Sequence, residues 1–465
     1  MTGPIPDRAA AAALAAALRR IDYVEETVDD LVREDGFSGG AEEVLVAERR
    51  LPRSRLGTAI RLLALQLPVA RADAVAALGR KGVDALAATG LAEVGAEVVA
   101  RSRLVPVGDL LLASDGFTQA AEDPPDWVAG YTLTGRTCDL LTPRARGRRA
   151  LDVGTGSGIH ALLAARQHRE VVAVDVNRRA LAYTALNAAL NGLDNIECRQ
   201  GSYFEPVAGE RFDLIACNAP YVISPEQKWA YRDSGLRGDE LTATLVAVAA
   251  EHLAPGGYAT MLGSWLVLGD DDSEARPVAW VRATGCDGWV LAEPESDPLS
   301  HAAEWNSTFY DDPQAYAAVL DEWTAYLARL GARGVAEGAI LLHRREGRTT
   351  VRVDFIDAEE LEPAGAQVRR AFENRARLAT MRRDDLARAK LARAMPIRVE
   401  RELGRSRGTL LIDAGTNSTL PASDASMRIV ERLDGATTLT RLGADRAALA
   451  LCRTLLELGA LRFAS

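Results

Sequence analysis

Short apolar runs alternate with amphipathic segments through the middle of the chain, from residue 149 to about residue 345. The runs at 149–153, 170–175, 211–217 and 258–262 are bounded by Gly, Pro or Asn, which is typical of buried strands. Apolar residues at helical spacing mark the segments between them. This alternation predicts an α/β fold, with a parallel sheet and helices on both of its faces.

Two later apolar runs, at 289–291 and 338–343, fit the last two strands of the same sheet. Between them, residues 313–330 carry Tyr316, Leu320, Trp323 and Leu327 at helical spacing. We therefore expect a helix at 313–330 that packs between the last two strands.

The two ends of the chain show different patterns, and at the N-terminal end short helices precede a small hairpin. A leucine-rich helix ended by Pro68 is followed by short helices at 69–78 and 83–89 and by a hairpin at 90–100. Helices followed by a hairpin are typical of winged-helix folds. Residues 409–465 form a second compact unit with a strand, a helix, an Asp-Gly turn and a further helix.

A chain of 465 residues is too long for one compact core, so several domains are expected. The pattern predicts a helical, winged-helix-like N-terminal domain (1–123), a catalytic domain (124–350), a basic helical connector (351–408) and a small winged-helix-like C-terminal domain (409–465).

Charge is distributed unevenly along the chain. With 55 basic and 65 acidic residues the net charge is −10, which disfavours sequence-independent binding to nucleic-acid phosphates. Residues 363–408 nevertheless hold 13 Lys and Arg against 5 Asp and Glu. This basic stretch is either a set of solvated helix faces or a docking face for an acidic partner, such as a leader peptide or RNA.

Composition excludes several classes of protein. No apolar stretch reaches the length of a membrane span, so no membrane partner is expected. The five cysteines are scattered and show no paired spacing, and the five histidines form no ligand cluster. We therefore expect a cytoplasmic protein without a metal site.

A glycine-rich turn joins the first predicted strand of the sheet to a helix at 159–166. Gly154, Gly156 and Gly158 allow the backbone to turn sharply and to approach a ligand closely. Such loops bind several cofactors that contain adenosine. Asp152, just before the loop, would repel a pyrophosphate but attract a cationic amino acid, and Asp175 ends the next strand where it can accept hydrogen bonds from a ribose. The loop therefore favours S-adenosylmethionine over a dinucleotide.

The tetrapeptide Asn218-Ala-Pro-Tyr221 follows the strand at 211–217, at the edge where open α/β sheets bind ligands. The Asn218 side-chain carbonyl and the Ala219 backbone carbonyl can accept two N–H bonds and so aim the lone pair of an acceptor nitrogen. Tyr221 offers a flat face to a planar group or a cation. The alternative is an ordinary loop with Asn and Pro as turn formers.

Together these residues resemble class I S-adenosylmethionine-dependent methyltransferases of the Asn-Pro-Pro-Tyr type. Longer stretches, such as 231–239, are similar to large multi-domain actinobacterial methyltransferases. The resemblance implies a Rossmann-like sheet of seven strands that the last two strands close in antiparallel fashion. It implies acceptor contacts from Asn218, Ala219, Pro220 and Tyr221. It implies cofactor contacts from Asp152, Gly154, Thr155, Gly156, Gly158, Asp175, Val176, Ser202 and Tyr203.

Two positions depart from the family pattern. Ala219 stands where the first proline is usual, which keeps the carbonyl but loosens the loop. Ser202 stands where an aspartate often contacts the adenine amine. We expect Ser202 or the Tyr203 backbone to replace that contact.

The sequence thus predicts an N-methyltransferase that acts on an amine or amide of a peptide or protein, including ribosomally made peptides. The alternative acceptor is a base amine of RNA or DNA, which the basic stretch and the N-terminal winged helix favour and the net charge opposes. A regulatory, non-enzymatic protein would leave Asn218, Pro220 and Tyr221 without a purpose. No pattern indicates the oligomeric state.

Overall fold

The structure, a computed structural model, describes residues 3–32, 41–116, 124–226, 232–233, 235–307, 312–401 and 406–464. In the N-terminal region the helices are α1 (Arg8–Arg19), α2 (Glu25–Val32), α3 (Ala41–Arg50), α4 (Arg55–Leu63) and α5 (Arg71–Ala88). Its strands are β1 (Val69–Ala70), β2 (Ala92–Val94), β3 (Glu97–Ala100), β4 (Arg103–Val107) and β5 (Leu110–Ser114).

The central region alternates strands and helices. Its strands are β6 (Gly147–Val153), β7 (His168–Asp175), β8 (Ile196–Gln200), β9 (Phe212–Cys217), β10 (Leu253–Leu268), β11 (Asp287–Ala292), β12 (Ala332–His343) and β13 (Val351–Phe355). Its helices are α6 (Leu133–Leu141), α7 (Ile159–Ala165), α8 (Arg178–Leu190), α9 (Glu240–His252), α10 (Ala275–Thr284), α11 (Pro298–Trp305) and α12 (Pro313–Arg329).

The C-terminal region mixes short helices and strands. Its helices are α13 (Gly365–Thr380), α14 (Arg383–Arg388), α15 (Asp424–Glu431), α16 (Leu439–Leu442) and α17 (Arg446–Glu457). Its strands are β14 (Lys390–Arg393), β15 (Arg398–Arg401), β16 (Arg407–Ile412), β17 (Ser418–Ser423), β18 (Asp434–Thr438) and β19 (Leu461–Phe463).

Within the described residues, one mixed sheet of eight strands runs in the order β13-β11-β12-β10-β9-β6-β7-β8. The predicted α/β class is confirmed, but the seven strands implied by the resemblance become eight because β13 adds to the edge beside β11. The strand at β8 was not located from the sequence. Its side chains are half-buried or exposed, so this edge strand has no apolar run to mark it.

The expected antiparallel closure holds for one strand rather than two. Strand β12 runs antiparallel to both β10 and β11. Strand β11 is parallel to β13 and, through β12, has the same direction as β10. Strand β12, which lies between β10 and β11, is therefore the strand whose direction is opposite to that of both neighbours.

Two apolar cores cover the two faces of the sheet. One face packs Ile215, Met261 and Trp265 together with α9 and α10. The opposite face packs Ala216 and Leu262 against α6 and α13. Neighbouring residues of β9 and β10 thus point to opposite faces, as alternation along a strand requires. This alternation determines which side chains of β9 and β10 can reach the ligand site that the sequence predicts at the carboxyl ends of the parallel strands.

The N-terminal region packs against helix α8 of the sheet. Leu14 and Leu78 share one buried core with Tyr183 and Leu186 of α8. The predicted hairpin is present as β2 and β3, and β1 completes a small sheet in the order β1-β3-β2. Gly79, with φ of 74°, interrupts α5, so two helical segments stand where two short helices were predicted.

A buried polar network fastens this region to the sheet. The Asp115 carboxylate forms an ion pair with the Arg179 guanidinium and accepts a hydrogen bond from the Tyr183 hydroxyl at 2.7 Å. It also accepts from the Val128 backbone N–H at 2.8 Å. Since Arg179 lies in the first turn of α8, the network connects the N-terminal region to the segment that follows Asp175.

The structure corrects the predicted connector at 351–408. Strand β13 belongs to the central sheet, so the predicted boundary at residue 350 cuts that sheet. Helix α13 covers a sheet face, and β14 pairs with both β18 and β19. Strands β13 and β14 are only five and four residues long, and their pairing with distant strands shows where they belong. The Asp434-Gly435 dipeptide, predicted as a turn, begins strand β18.

Much of the basic stretch is engaged within the protein itself. Arg375 is buried, lies over the Trp289 ring at 4.5 Å and donates hydrogen bonds to the carbonyls of Gly288 and Glu457. Other arginines of the stretch pair with neighbouring groups, as Arg369 with Glu373, Arg370 with the Gly459 carbonyl, Arg388 with Asp385, and Arg398 with Asp413. Arg369, Arg388 and Arg398 nevertheless stay 45%, 72% and 57% exposed in these pairs, so the stretch combines a buried arginine with solvated faces.

No helix in the described parts of the chain is long and apolar enough to cross a membrane. All five cysteines are free thiols. Within the same described residues, no group of three or more His, Cys, Asp or Glu side chains could hold a metal ion.

Candidate functional site

The glycine loop turns between β6 and α7 with three left-handed residues. Gly154, Gly156 and Gly158 have φ of 69°, 54° and 88°, a region that glycine enters without strain. A Cβ at Gly158 would lie 2.8 Å from Thr184, whereas a Cβ at Gly156 would meet nothing within 4 Å. A glycine at position 158 therefore allows the loop to pack against α8, whereas Gly156 faces open space.

Asp152 lies at the end of β6 and is 1% exposed. Its Oδ2 accepts hydrogen bonds from Thr155 Oγ1 at 2.7 Å and from the Ala161 N–H at 2.9 Å. Its Oδ1 is buried and has no hydrogen-bond partner. Burial raises the pKa of Asp152 to about 6, against the two hydrogen bonds that lower it. A buried carboxylate oxygen without a partner is costly, and a cationic ligand would satisfy it.

Asp175 ends β7 and holds the glycine loop in place. Its carboxylate accepts hydrogen bonds from the Gly156 N–H at 3.0 Å and the Asn177 N–H at 2.8 Å. Burial raises the pKa of Asp175, and these backbone donors lower it. Val176, the next residue, is 54% exposed and lines a cleft of about 570 Å³ together with Asn177 and Pro125. The predicted cofactor residue Val176 thus borders an open cleft, and Asp175 immediately precedes it in the chain.

Ser202 and Tyr203 follow β8, the strand next to the one that Asp175 ends. Tyr203 has φ of 47°, which is uncommon for a residue with a side chain and often accompanies a functional site. Burial first, and then the nearby Cys217 and Asp175, raise the pKa of the Tyr203 phenol to about 12. The structure therefore places Tyr203 near Asp175, where the adenine contact was expected.

The acceptor tetrapeptide lies directly beside the glycine loop. A Cβ at Gly154 would lie 3.3 Å from the Cα of Ala219, a tighter contact than is usual, so a glycine here favours the close approach of the two loops. Asn218 is half-buried, and its Nδ2 donates to Thr134 Oγ1 of α6 at 3.4 Å. With the amide nitrogen turned to Thr134, the Asn218 carbonyl oxygen remains available as an acceptor.

The rest of the tetrapeptide is anchored to β10. The Ser264 hydroxyl donates a hydrogen bond to the Tyr221 backbone carbonyl. Pro220 is half-buried, and the Tyr221 ring packs at the margin of the core formed by α6 and the sheet. Burial, followed by the charges of Glu337 and Glu293, raises the pKa of the Tyr221 phenol well above its usual value. Tyr221 is therefore a neutral hydroxyl beside acidic groups.

Three residues of this neighbourhood were not found from the sequence: Thr134, Ser264 and Glu337. Thr134 and Ser264 lie far along the chain from the tetrapeptide, and nothing in their local pattern marks them. Glu337 gave a usable signal, because it is a charged residue inside the apolar run of β12.

The site has the features that S-adenosylmethionine requires. The unpartnered Oδ1 of Asp152 suits the cationic amino group of the methionine part. The Asp175 carboxylate can accept from ribose hydroxyls, and the apolar Val176 can cover the adenine. At Gly156, which lies in the loop after Asp152, a Cβ would meet no atom within 4 Å, so the loop is open there.

Comparison with known proteins agrees with this geometry. Residues 138–264 match the family model of the methyltransferase small domain. This stretch begins in α6, includes the glycine loop and the tetrapeptide, and ends at Ser264. The match confirms the prediction of an S-adenosylmethionine-dependent methyltransferase domain over these residues.

Several relatives are glutamine methyltransferases. The chain is 37% identical over 133 residues to the release factor glutamine methyltransferase of Xylella fastidiosa, covering 26% of this chain and 48% of that protein. It is 34% identical over 176 residues to the ribosomal protein uL3 glutamine methyltransferase of Bradyrhizobium diazoefficiens, covering 34% of this chain and 55% of that protein. The chain spans about half the length of the curated relatives it matches.

Similarity to solved structures is weak. Phosphoethanolamine N-methyltransferase 2 of Haemonchus contortus aligns with a TM-score of 0.29 and 16% identity, over 47% of this chain and 54% of that one. A likeness this distant carries no argument about function.

Proposed function

We propose that this protein is an S-adenosylmethionine-dependent N-methyltransferase whose acceptor is a nitrogen of a protein or peptide. The observation that carries the proposal is the direct contact between the two loops, Gly154 against Ala219. A cofactor loop and an acceptor loop in contact can hold a methyl donor and a nitrogen side by side. The relatives that methylate glutamine in release factors and in a ribosomal protein support a protein acceptor.

Each side of the site has a separate task in this proposal. Bound S-adenosylmethionine would supply a methyl group on a positively charged sulfur, which keeps the electron pair of the carbon–sulfur bond when nitrogen takes the methyl. Asp152, Asp175 and Val176 hold that molecule. Asn218 and the Ala219 carbonyl accept N–H bonds from the acceptor and orient its lone pair, while Pro220 limits the freedom of the loop. Orientation of this kind accounts for most of the expected rate.

The nucleic-acid alternative loses part of its support. It rested on the basic stretch at 363–408 and on the N-terminal winged helix, and within that stretch Arg375 is buried while other arginines pair with neighbouring carboxylates. The net charge of −10 also opposes phosphate binding. We therefore retain the protein or peptide acceptor as the single proposal.

The two end regions are proposed to be winged-helix-like units that bind the substrate chain. In the N-terminal region, α4, β1, the two halves of α5 and the β2–β3 hairpin follow the order of that fold. In the C-terminal region, α15, β18, α16, α17 and β19 follow a similar order, and β14 supplies the third strand. The N-terminal region packs on α8, and the C-terminal region packs on the sheet face that α6 covers. This packing supports a role for both regions near the loops of the site.

Two substitutions separate the cofactor side from the acceptor side. Asn218→Ala is expected to keep S-adenosylhomocysteine binding, measured by calorimetry, and to abolish methyl transfer to protein. Asp175→Ala is expected to weaken S-adenosylhomocysteine binding, because it removes the carboxylate that holds the Gly156 and Asn177 N–H groups. Asp194→Ala, in the exposed turn before β8, is the control and should change neither property. Equal loss of cofactor affinity in both variants would contradict the assignment of two pockets.

A further inference from the structure

The register of the sheet places Glu337 next to the acceptor loop. Ser264 of β10, which donates to the Tyr221 carbonyl, is directly opposite Glu337 of β12. Leu262 and Ala339, two residues from each of them, are an adjacent pair on the sheet face that also holds Ala216. Because side chains alternate along a strand, Ser264 and Glu337 lie on that same face.

Asn218 follows Ala216 by two positions, so this face also contains the acceptor end of β9. Asp152 is paired with Ala216 across β6 and β9 and belongs to the same face. Asp152 Oδ1 is buried without a hydrogen-bond partner at one end of this surface, which suits a cationic group there. Asn218 lies between Asp152 and Glu337. The face therefore presents one carboxylate on the cofactor side and another on the acceptor side.

Glu337 has polar partners but no cationic one among the described residues. Its Oε1 accepts a hydrogen bond from Trp305 Nε1 at 3.0 Å and lies 3.6 Å from His301 Nδ1. His301 Nε2 donates to the Ile223 carbonyl at 3.1 Å. Burial lowers the pKa of His301 to about 4, so this imidazole is neutral at physiological pH. The carboxylate is thus positioned by an indole and faces a neutral ring.

Further acidic groups surround Glu337. Glu293, just after β11, donates its N–H to the Glu337 backbone carbonyl at 2.9 Å, and Glu304 lies on α11, one residue before Trp305. Burial first, and then Glu304 and Glu293, raise the pKa of Glu337 to about 8. With Tyr221 neutral, the groups around Glu337 are three carboxyls, a phenol and an uncharged imidazole. The Arg232 guanidinium, whose charge lowers the pKa of His301, is itself paired with Glu226 and Asp233. Such acidic surroundings attract a further cation.

We propose that Glu337 is the acceptor-side carboxylate of the active site and that it selects a primary aliphatic amine over a glutamine amide. The amine is a lysine side chain or a chain N-terminus, since both present an ammonium group. This inference rests on the proposed N-methyltransferase function. In the step assigned to Glu337, the ammonium gives one proton to the carboxylate. A cation and an anion thereby become a neutral amine and a carboxylic acid, and the amine lone pair is free to accept the methyl group.

An amide acceptor would make poor use of this arrangement. A glutamine amide is neutral, so it compensates none of the charge that Glu337, Glu293 and Glu304 bring together. An aliphatic amine has a reference pKa near 8 to 10 and must lose a proton before its lone pair can react. A carboxylate whose pKa lies near the working pH is the appropriate base for that proton.

The substrate class is tested with the purified full-length protein, tritiated S-adenosylmethionine and three synthetic peptide pools. One pool has a central lysine and blocked termini, one a central glutamine and blocked termini, and one a free N-terminus without lysine or glutamine. Labelling of either amine pool above the glutamine pool is the expected result, and the two amine pools separate the two sources. Labelling of the glutamine pool alone would overturn the role of Glu337 and leave the proposed function intact. Labelling of no pool would contradict the proposed function itself.

The residue is tested with Glu337→Gln, which keeps an acceptor for the Trp305 N–H. On the labelled amine pool it should lower kcat/KM about 100-fold and leave S-adenosylhomocysteine binding unchanged. The wild-type kcat/KM should rise as pH increases through about 8, where Glu337 of the free enzyme loses its proton, and the variant should lack this rise. Glu337→Asp should restore part of the rate. Glu295→Gln, which changes a carboxylate of the neighbouring loop that pairs with Arg333, is the matched control. An unchanged pH profile in Glu337→Gln would overturn the proposal.

Discussion

The most direct test of the cofactor side is Asp152→Asn, because the native carboxylate is buried with one oxygen unpartnered. Asparagine has nearly the same shape. Its carbonyl oxygen can still accept from Thr155 and the Ala161 N–H, and its NH₂ occupies the orphaned position. The substitution therefore removes the buried charge with little change in packing.

The magnitude follows from the pKa of Asp152, which burial raises from 3.8 to about 6. Between these two values the native state keeps a proton that the unfolded chain has released, so stability falls as pH rises through this window. At about 1.4 kcal/mol per pKa unit, the native state is less stable by about 3 kcal/mol above pH 6. Below the unfolded pKa the difference vanishes. In the absence of cofactor, Asp152→Asn should therefore be more stable by about 3 kcal/mol at pH 7.5 and nearly equal to wild type at pH 4.

The assay is urea denaturation of both proteins at pH 4, 5, 6 and 7.5, with S-adenosylhomocysteine absent and then present. Wild-type affinity for S-adenosylhomocysteine should increase as pH rises through about 6, since its ammonium group binds the ionised Asp152. The variant should bind more weakly and without this pH dependence. Thr155→Val, which removes a hydrogen bond that lowers the pKa of Asp152, should shift the wild-type response to higher pH.

The reasoning on Asp152 would be refuted by a variant that is less stable than wild type at pH 7.5 without cofactor. It would also be refuted if wild type and variant showed the same pH dependence of S-adenosylhomocysteine binding. The first result would show that the carboxylate is satisfied in the free protein. The second would show that the cationic group binds elsewhere.

Two further substitutions test the fold around the site. Gly158→Ala places a Cβ 2.8 Å from Thr184 at a φ of 88°, so we expect a loss of about 2 to 3 kcal/mol in thermal denaturation and weaker S-adenosylhomocysteine binding. Gly192→Ala, at a φ of 68° with no atom within 4 Å, is the control and should cost only about 1 kcal/mol; equal losses would argue against the steric account. Asp115→Ala leaves the buried Arg179 guanidinium without its carboxylate and should cost about 3 to 5 kcal/mol in urea denaturation, so a loss below about 1 kcal/mol would mean that water replaces the ion pair.

Local sequence patterns located the parts of the fold that depend on local interactions. The glycine loop, the strand before it and the helix after it are adjacent in sequence, and their spacing alone specifies the strand-turn-helix. The N-terminal hairpin and the division of α5 near Gly79 were predicted on the same grounds. Strands without an apolar run, such as β8 and β13, gave no such signal because each lies at a sheet edge with half-exposed side chains.

Charge along the chain was a poor guide to surface charge. The basic stretch is one uniform run in sequence, but Arg375 is buried between Trp289 and backbone carbonyls, and Arg369 of the same helix pairs with Glu373. A long side chain can turn inward wherever aromatic faces and free carbonyls are available. Only the folded chain shows which arginines remain at the surface.

The sequence by itself determined the two motifs of the site, because Asp152, the glycines, Asp175 and the tetrapeptide each lie at the end of a strand that its own residues define. Their assignment to cofactor and acceptor stays a prediction that the proposed variants test. The tertiary structure decided what surrounds them. Gly154 meets Ala219, Ser264 holds Tyr221, and Glu337 joins the acceptor side, because the register between strands far apart in the chain sets these neighbours. Register depends on the packing of whole faces, and no local pattern contains it.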